Sequence, residues 1–215
     1  MTQPSTNGGT PASSGRTPAQ GNRLDPWYDV YADRAHNLRA SEIRALFSVV
    51  SRPEVVSLAG GMPNLKDLPL DKLAASAEKL IRNHGAQAMQ YGSGQGWEVL
   101  RERITEVMSY DGIVGADPDD VVVTTGSQQA LDLVTELFVN PGDVILAEAP
   151  SYVGALGVFR ARQADIVHVP MDENGIIPEA LVETIRDVRA SGRTIKFIYI
   201  IPNYHNPAGV TLSAE

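Results

Sequence analysis

Three short segments place groups capable of chemistry directly after apolar runs. The first, Thr124-Thr125-Gly126-Ser127-Gln128-Gln129-Ala130, joins an apolar run to a helical pattern. A Gly at such a turn lets backbone N–H groups point outward. The helix start adds unpaired donors and the positive end of its dipole. With the Ser127 hydroxyl, this arrangement suits a phosphate, and an ordinary helix cap is the plain alternative. No Gly-Lys-Ser/Thr follows, so it is not a P-loop, and Gly126 lacks the partner glycines of a dinucleotide fingerprint. The second segment, Glu148-Ala149-Pro150-Ser151-Tyr152, brings an aromatic to a helix start. Tyr152 there can stack on a planar ligand or lie half-buried against a sheet. The third, Ile201-Pro202-Asn203-Tyr204-His205-Asn206-Pro207-Ala208-Gly209, is a stiff loop. Asn206 precedes Pro207 and is held out of the α region. Its amide is thus presented in a fixed direction, or it simply makes a turn. His205 has no ligand spacing with His36, His84 or His168, so metal binding is not expected.

Weaker candidates lie earlier in the chain. Gln90 to Trp97 is a Gly-rich loop leading into a helix, and Ala59-Gly60-Gly61-Met62-Pro63-Asn64 permits close backbone approach. Arg39 and Arg44 sit on or near a helical pattern, where a solvated charge is the plain reading.

The elements that must position these groups follow from hydrophobic periodicity. Helical spacing occurs at 40–50, 70–84, 97–110, 129–139, 152–162 and 178–190. Short apolar runs at 55–58, 121–124, 144–147, 164–169 and 195–201 read as strands. Continuous apolar strands separated by helices imply a sheet buried on both faces. The expected fold is a three-layer α/β/α arrangement with a mainly parallel sheet. Residues 1–22 are Ser, Thr, Gly, Pro, Gln and Asn with almost no apolar content, and read as a disordered tail.

Composition narrows the function classes. The chain has 215 residues, 43% hydrophobic and 20% charged, as in an ordinary globular protein. With 18 Lys+Arg against 26 Asp+Glu, the net charge of −8 disfavours a nucleic-acid partner. No Cys is present, which removes thiol nucleophiles, disulfides and Cys-based metal sites. No apolar run approaches the ~20 residues that span a bilayer, and the N-terminus lacks an apolar signal segment. A cytoplasmic protein with no membrane partner is expected. Only Lys66, Lys72, Lys79 and Lys196 are lysine.

In combination, five stretches resemble the fold-type I pyridoxal-phosphate (PLP) enzymes, specifically the class I/II aminotransferases of the 2-aminoadipate, kynurenine and MocR-like branch. They are Ser57–Asn64, Gln90–Arg101, Thr124–Leu133, Pro141–Leu156 and Ile201–Val210, in the family's order and spacing. The resemblance implies pyridoxal 5'-phosphate as cofactor. It implies that Gly126, Ser127 and Gln128 hold its phosphate, that Tyr152 stacks on the ring, and that Asn206 meets the ring's phenolic oxygen and the substrate carboxylate region. Tyr91 would reach the cofactor phosphate of the other subunit of a homodimer with shared sites. Gly61 would touch substrate through its backbone, and Arg44 would read an acidic side chain. His205 and Ala208 stand where the family often has Gln and Thr.

The same resemblance places the Schiff-base Lys, in a Ser-x-x-Lys setting, beyond Glu215, so no catalytic residue is expected in this chain. The expected organisation is a disordered tail over 1–23, the arm and helix of a small domain over 24–66, and the first part of a PLP-binding large domain over 67–215. The implied reaction moves an amino group from an amino acid to a 2-oxo acid by a ping-pong route, and this fragment alone is expected to be inactive. A PLP-dependent C–S lyase on the same fold, and the ligand-sensing domain of a MocR-type regulator, are the alternatives. The regulator would need a winged helix-turn-helix before residue 25, where only a polar tail stands.

Overall fold

The computed structural model describes residues 27–37, 54–56 and 65–214. The chain divides into two units, residues 1–38 and 39–215. Within the first, the described residues form two short 3₁₀ turns, Tyr28–Val30 and Asp33–Asn37. The helical pattern at 40–50 lies outside the described residues, as do Ser57 and Leu58 of the strand-like run at 55–58, while Val55 and Val56 are not in a strand.

The second unit alternates helices and strands. Helices α1 (Leu70–Ala88), α2 (Glu98–Tyr110) and α3 (Ser127–Phe138) precede strand β1 (Val144–Ala149). Then follow α4 (Val153–Ala161), β2 (Asp165–Asp172), the two-residue β3 (Gly175–Ile176), α5 (Pro178–Ala190) and β4 (Ile195–Tyr199). The strand order is β3-β2-β1-β4. β1 pairs in parallel with β2 and β4, and only the short β2–β3 pair is antiparallel. This is the mainly parallel sheet that continuous apolar runs demand. α5 starts where Pro178 sits at the first helical position, which needs no N–H there.

β1 is the centre of the core. Val144, Ile145, Leu146 and Ala147 are all fully buried. Their side chains alternate between two clusters. Ile145 and Ala147 pack with Ala155, Leu156, Val158 and Phe159 of α4. Val144 and Leu146 pack with Val169 of β2 and Val188 of α5. Phe159 meets Phe197 and Tyr199 edge-on, at ring-centroid separations of 5.8 and 5.4 Å.

β4 reaches this arrangement through a register shift. Val144 faces Ile195, yet Ile145 faces Phe197, leaving Lys196 as an extra residue. Ile195 packs in the α5 cluster, while Phe197 and Tyr199 pack in the α4 cluster. In an unbroken strand, residues 195 and 197 would share one face. The bulge therefore turns the two rings toward Phe159.

One expectation is corrected. The run Val121–Thr124 is not a strand of this sheet. Its backbone donors are spent on loops: Val121 N–H bonds Pro118 O at 3.2 Å, and Val123 N–H bonds Gln95 O at 2.7 Å. Apolar content suits a strand, but a strand also needs a ladder partner. Among the described residues, no helix is long and apolar enough to cross a membrane.

Two tests follow from the packing. Phe159→Ala should cost about 3–5 kcal/mol of stability in urea titrations, because a fully buried ring leaves a cavity. Arg162, at the end of α4, grips Asp132 of α3 through Nε and Nη2, both at 2.8 Å. That hydrogen bonding holds the Asp132 carboxyl below its usual range. The stabilisation is then present above the carboxyl's unfolded value, about pH 4. It is lost as pH falls through the lower folded value. Arg162→Met should lower the melting temperature by roughly 1–3 °C at pH 7, with the gap closing as the pH is taken toward 3.

Candidate functional site

The C-terminal ends of parallel strands are where α/β sheets bind ligands. Here that edge receives the segment after β1, the loop after β4 and the starts of α3 and α4. Gly126 caps α3 with φ +79° and ψ 169°, a conformation essentially reserved for glycine. A Cβ there would meet no atom within 4 Å, so the constraint is conformational rather than steric. Thr125 is clamped, with its N–H and hydroxyl both bonding Gln129 Oε1 at 2.6 and 2.5 Å.

The first turn of α3 has no side-chain cap and no acidic residue. The same holds for α4. By contrast, α1, α2 and α5 carry Asp71, Glu98 and Glu179 in their first turns. Two helix N-termini thus meet at this edge with their positive dipole ends uncompensated, which favours an anion. Gln128 Nε2 donates to Gly154 O at 3.3 Å and ties the two helix starts together. The Tyr152 ring lies over Gly154, where any Cβ would collide with it. Tyr152 is half-buried against the α4 cluster, so its plain structural role is met while one part of the ring stays exposed.

The loop after β4 is folded back on itself. His205 N–H bonds Val210 O at 2.8 Å, Gly209 N–H bonds His205 O at 2.6 Å, and Leu212 N–H bonds Pro202 O at 2.8 Å. Asn206 lies inside this closed turn. The Ala149–Pro150 and Asn206–Pro207 peptide bonds are both cis. Burial pushes the Tyr199 phenol above its ordinary range, with Tyr152 and Glu148 adding to the effect.

Tyr91 stands apart. Its loop is fastened to the run leading into Gly126 by the Val123–Gln95 bond. Gly96, at φ +103°, packs directly on Val123. The Tyr91 side chain is 99% exposed. With Ser93, Trp97 and Arg101 it helps to line a cavity of about 640 Å³ that none of Gly126, Ser127, Gln128, Tyr152 or Asn206 lines. Arg44 and Gly61 lie outside the described residues. Lys196 pairs with Asp143 at 3.2 Å. Asp143 directly precedes β1, so this lysine is at the opposite edge of the sheet.

Two buried polar residues were given no site role from the sequence, although His205 was weighed there as a metal ligand. Glu148 and His205 are each 2% exposed and meet at the site edge. A charge directly after four buried apolar residues was the available signal. Arg101 is also buried, with Nη1 donating to Pro118 O at 2.6 Å and Asp119 Oδ1 at 2.9 Å.

Residues 53–215 match the family model for aminotransferase class I and II. The aromatic-amino-acid aminotransferase 1 of Thermococcus litoralis is 37% identical over 185 residues, covering 86% of this chain and 44% of that protein. The 2-aminoadipate transaminase of Thermus thermophilus is 37% identical over 183 residues, covering 85% and 43%. The solved kynurenine aminotransferase of Pyrococcus horikoshii, in complex with PMP, superimposes with a TM-score of 0.80 at 34% identity, covering 89% of this chain and 47% of that one. The chain spans less than half the length of these relatives.

Gly126→Ala should lower stability by about 1–3 kcal/mol through backbone strain alone. Chemical denaturation without any added ligand measures it.

Proposed function

The chain belongs to the class I and II aminotransferase family, and we propose on that premise that the whole protein is a PLP-dependent aminotransferase. The observation that carries this reading is the meeting of two uncapped, acid-free helix starts at Gly154, beneath a half-buried Tyr152. That arrangement fits a phosphate joined to a flat aromatic ring. When bound, pyridoxal 5'-phosphate supplies the electron sink that stabilises a carbanion at the substrate Cα.

The chain's own residues bind and orient. Backbone donors at Gly126, Ser127 and Gln128 hold the phosphate, with the α3 dipole favouring its charge. Tyr152 stacks on the ring and fixes its plane. Asn206, presented by the closed turn, donates to the phenolic oxygen and lies beside the substrate carboxylate. Tyr91, exposed and apart from this edge, serves the phosphate bound by the partner of a homodimer. Gly61 and Arg44 complete the substrate side. Residues 24–66 belong to a small domain and 67–215 to the start of the large domain. Lys196 is engaged with Asp143 at the opposite edge of the sheet, so it is not placed to bond the cofactor. Amino acids and 2-oxo acids are the substrates, used in turn by a ping-pong scheme. The protein works in the cytoplasm.

The relatives reported above carry aminotransferase names and lend no support to a regulator. A lyase outcome is separated by assay. The full-length protein should consume 2-oxoglutarate with at least one amino donor. Release of pyruvate or ammonia without oxo-acid consumption would make it a lyase. Residues 1–215 alone should neither transaminate nor show the visible absorbance of lysine-linked cofactor. A second variant addresses the phosphate site directly. Ser127→Asp should raise apo stability by about 0.3–1 kcal/mol, since a carboxylate suits a helix start. It should at the same time sharply weaken pyridoxal phosphate binding in a fluorescence titration, because like charges then share one site.

A further inference from the structure

We propose that Glu148 and His205 form a buried positioning pair that sets the direction of the Asn206 amide. This rests on the reading of Asn206 given above and extends it to two residues with no assigned role.

Both side chains are about 98% shielded from solvent, as their 2% exposure states. Glu148 Oε2 accepts the Ile201 backbone N–H at 2.8 Å. The same oxygen lies 3.0 Å from His205 Nε2. Those two atoms are within reach but not aligned for a directed hydrogen bond, so they form a close polar contact. On the other side of the ring, His205 Nδ1 accepts the Ala208 N–H at 3.3 Å. An accepting Nδ1 leaves the proton of a neutral imidazole on Nε2, the nitrogen in close contact with the carboxylate. The ring thus bridges the end of β1 to the far side of the Asn206–Pro207 step.

The backbone N–H groups that the two side chains accept are both in the loop that carries Asn206. Ile201 enters the loop, His205 directly precedes Asn206, and Ala208 follows Pro207. Glu148 itself is the β1 residue four positions before Tyr152. A carboxylate buried this deeply is costly to desolvate, and an apolar residue would pack a core at less cost. What the pair adds is direction. It fastens the Asn206 turn to the strand that leads into the ring-stacking Tyr152, so the two cofactor contacts move as one body.

The test uses the full-length protein and pyridoxal 5'-phosphate, reading its dissociation constant and the visible circular dichroism of the bound form. Asn206→Ala should weaken binding about tenfold, as loss of one good hydrogen bond does. His205→Leu should weaken it to a similar extent and change the dichroism in the same direction. The double variant should be within about twofold of the weaker single variant, because both act through one contact. His205→Gln should restore binding to within about threefold, since its amide offers one donor and one acceptor end as neutral imidazole does. If His205→Leu does not fold, His205→Asn, polar but too short to bridge, takes its place in the same cycle. Binding by His205→Leu near the unaltered value, with Asn206→Ala weakened, overturns the proposal and leaves the Asn206 reading intact. Multiplying effects in the double variant also overturn it. An Asn206→Ala variant that binds normally overturns the Asn206 reading, and this proposal with it.

Discussion

The structure depends on one strand that has no solvent-facing side. β1 must satisfy α4 on one face and α5 on the other, so its four leading residues are all apolar and all buried. It also sits between β2 and β4, so both of its backbone edges are engaged. A strand fixed on every side cannot drift, and what it delivers at its C-terminal end is therefore delivered in one place. Glu148, the cis Ala149–Pro150 step and Tyr152 leave this anchor in succession. The helix that Tyr152 opens returns Phe159 to the same core.

From that anchor the candidate site is assembled by restraint rather than by abundance of chemistry. Gly126 accepts a backbone conformation that other residues resist. Gly154 gives up its side chain to make room for a ring. Two helices omit the acids that three others carry. Each departs from what local stability alone favours, and each fits the proposed phosphate and flat ring at this edge.

Much of this was legible in the sequence. The apolar runs of β1, β2 and β4 and the span of α5 follow from periodicity and a single proline. The turn at Gly126 and the loop around Asn206 were legible because glycine and proline act through local backbone geometry. What escaped was non-local. Val121–Thr124 has strand composition, yet its Val123 N–H goes to Gln95, in a loop about 30 residues earlier. β3 is the local exception: only two residues long, it forms where β2 turns back through Glu173 and Asn174 so that Met171 pairs with Ile176 and Asp172 with Gly175, too short a run for periodicity to show. Glu148 and His205 are 57 positions apart, as their numbers give, and no spacing rule links them. Arg101 reads as one surface charge of an amphipathic helix until the Pro118 carbonyl closes over it.

The extra residue at Lys196 gives β4 a sense of phase. Below it the strand addresses α5; above it, α4. The pairs on either side of it, rather than the residue count, decide which helix layer each side chain meets. Closing the bulge with Lys196 kept would exchange the rings of Phe197 and Tyr199 for Ile198 and Ile200 on the α4 face and turn the Ile201 amide away from Glu148. Losing Lys196 itself would leave Ile195 opposite Val144 and Phe197 opposite Ile145, now in a regular strand. The bulge is thus a spacer: it takes up one residue without altering what the strand presents to either side.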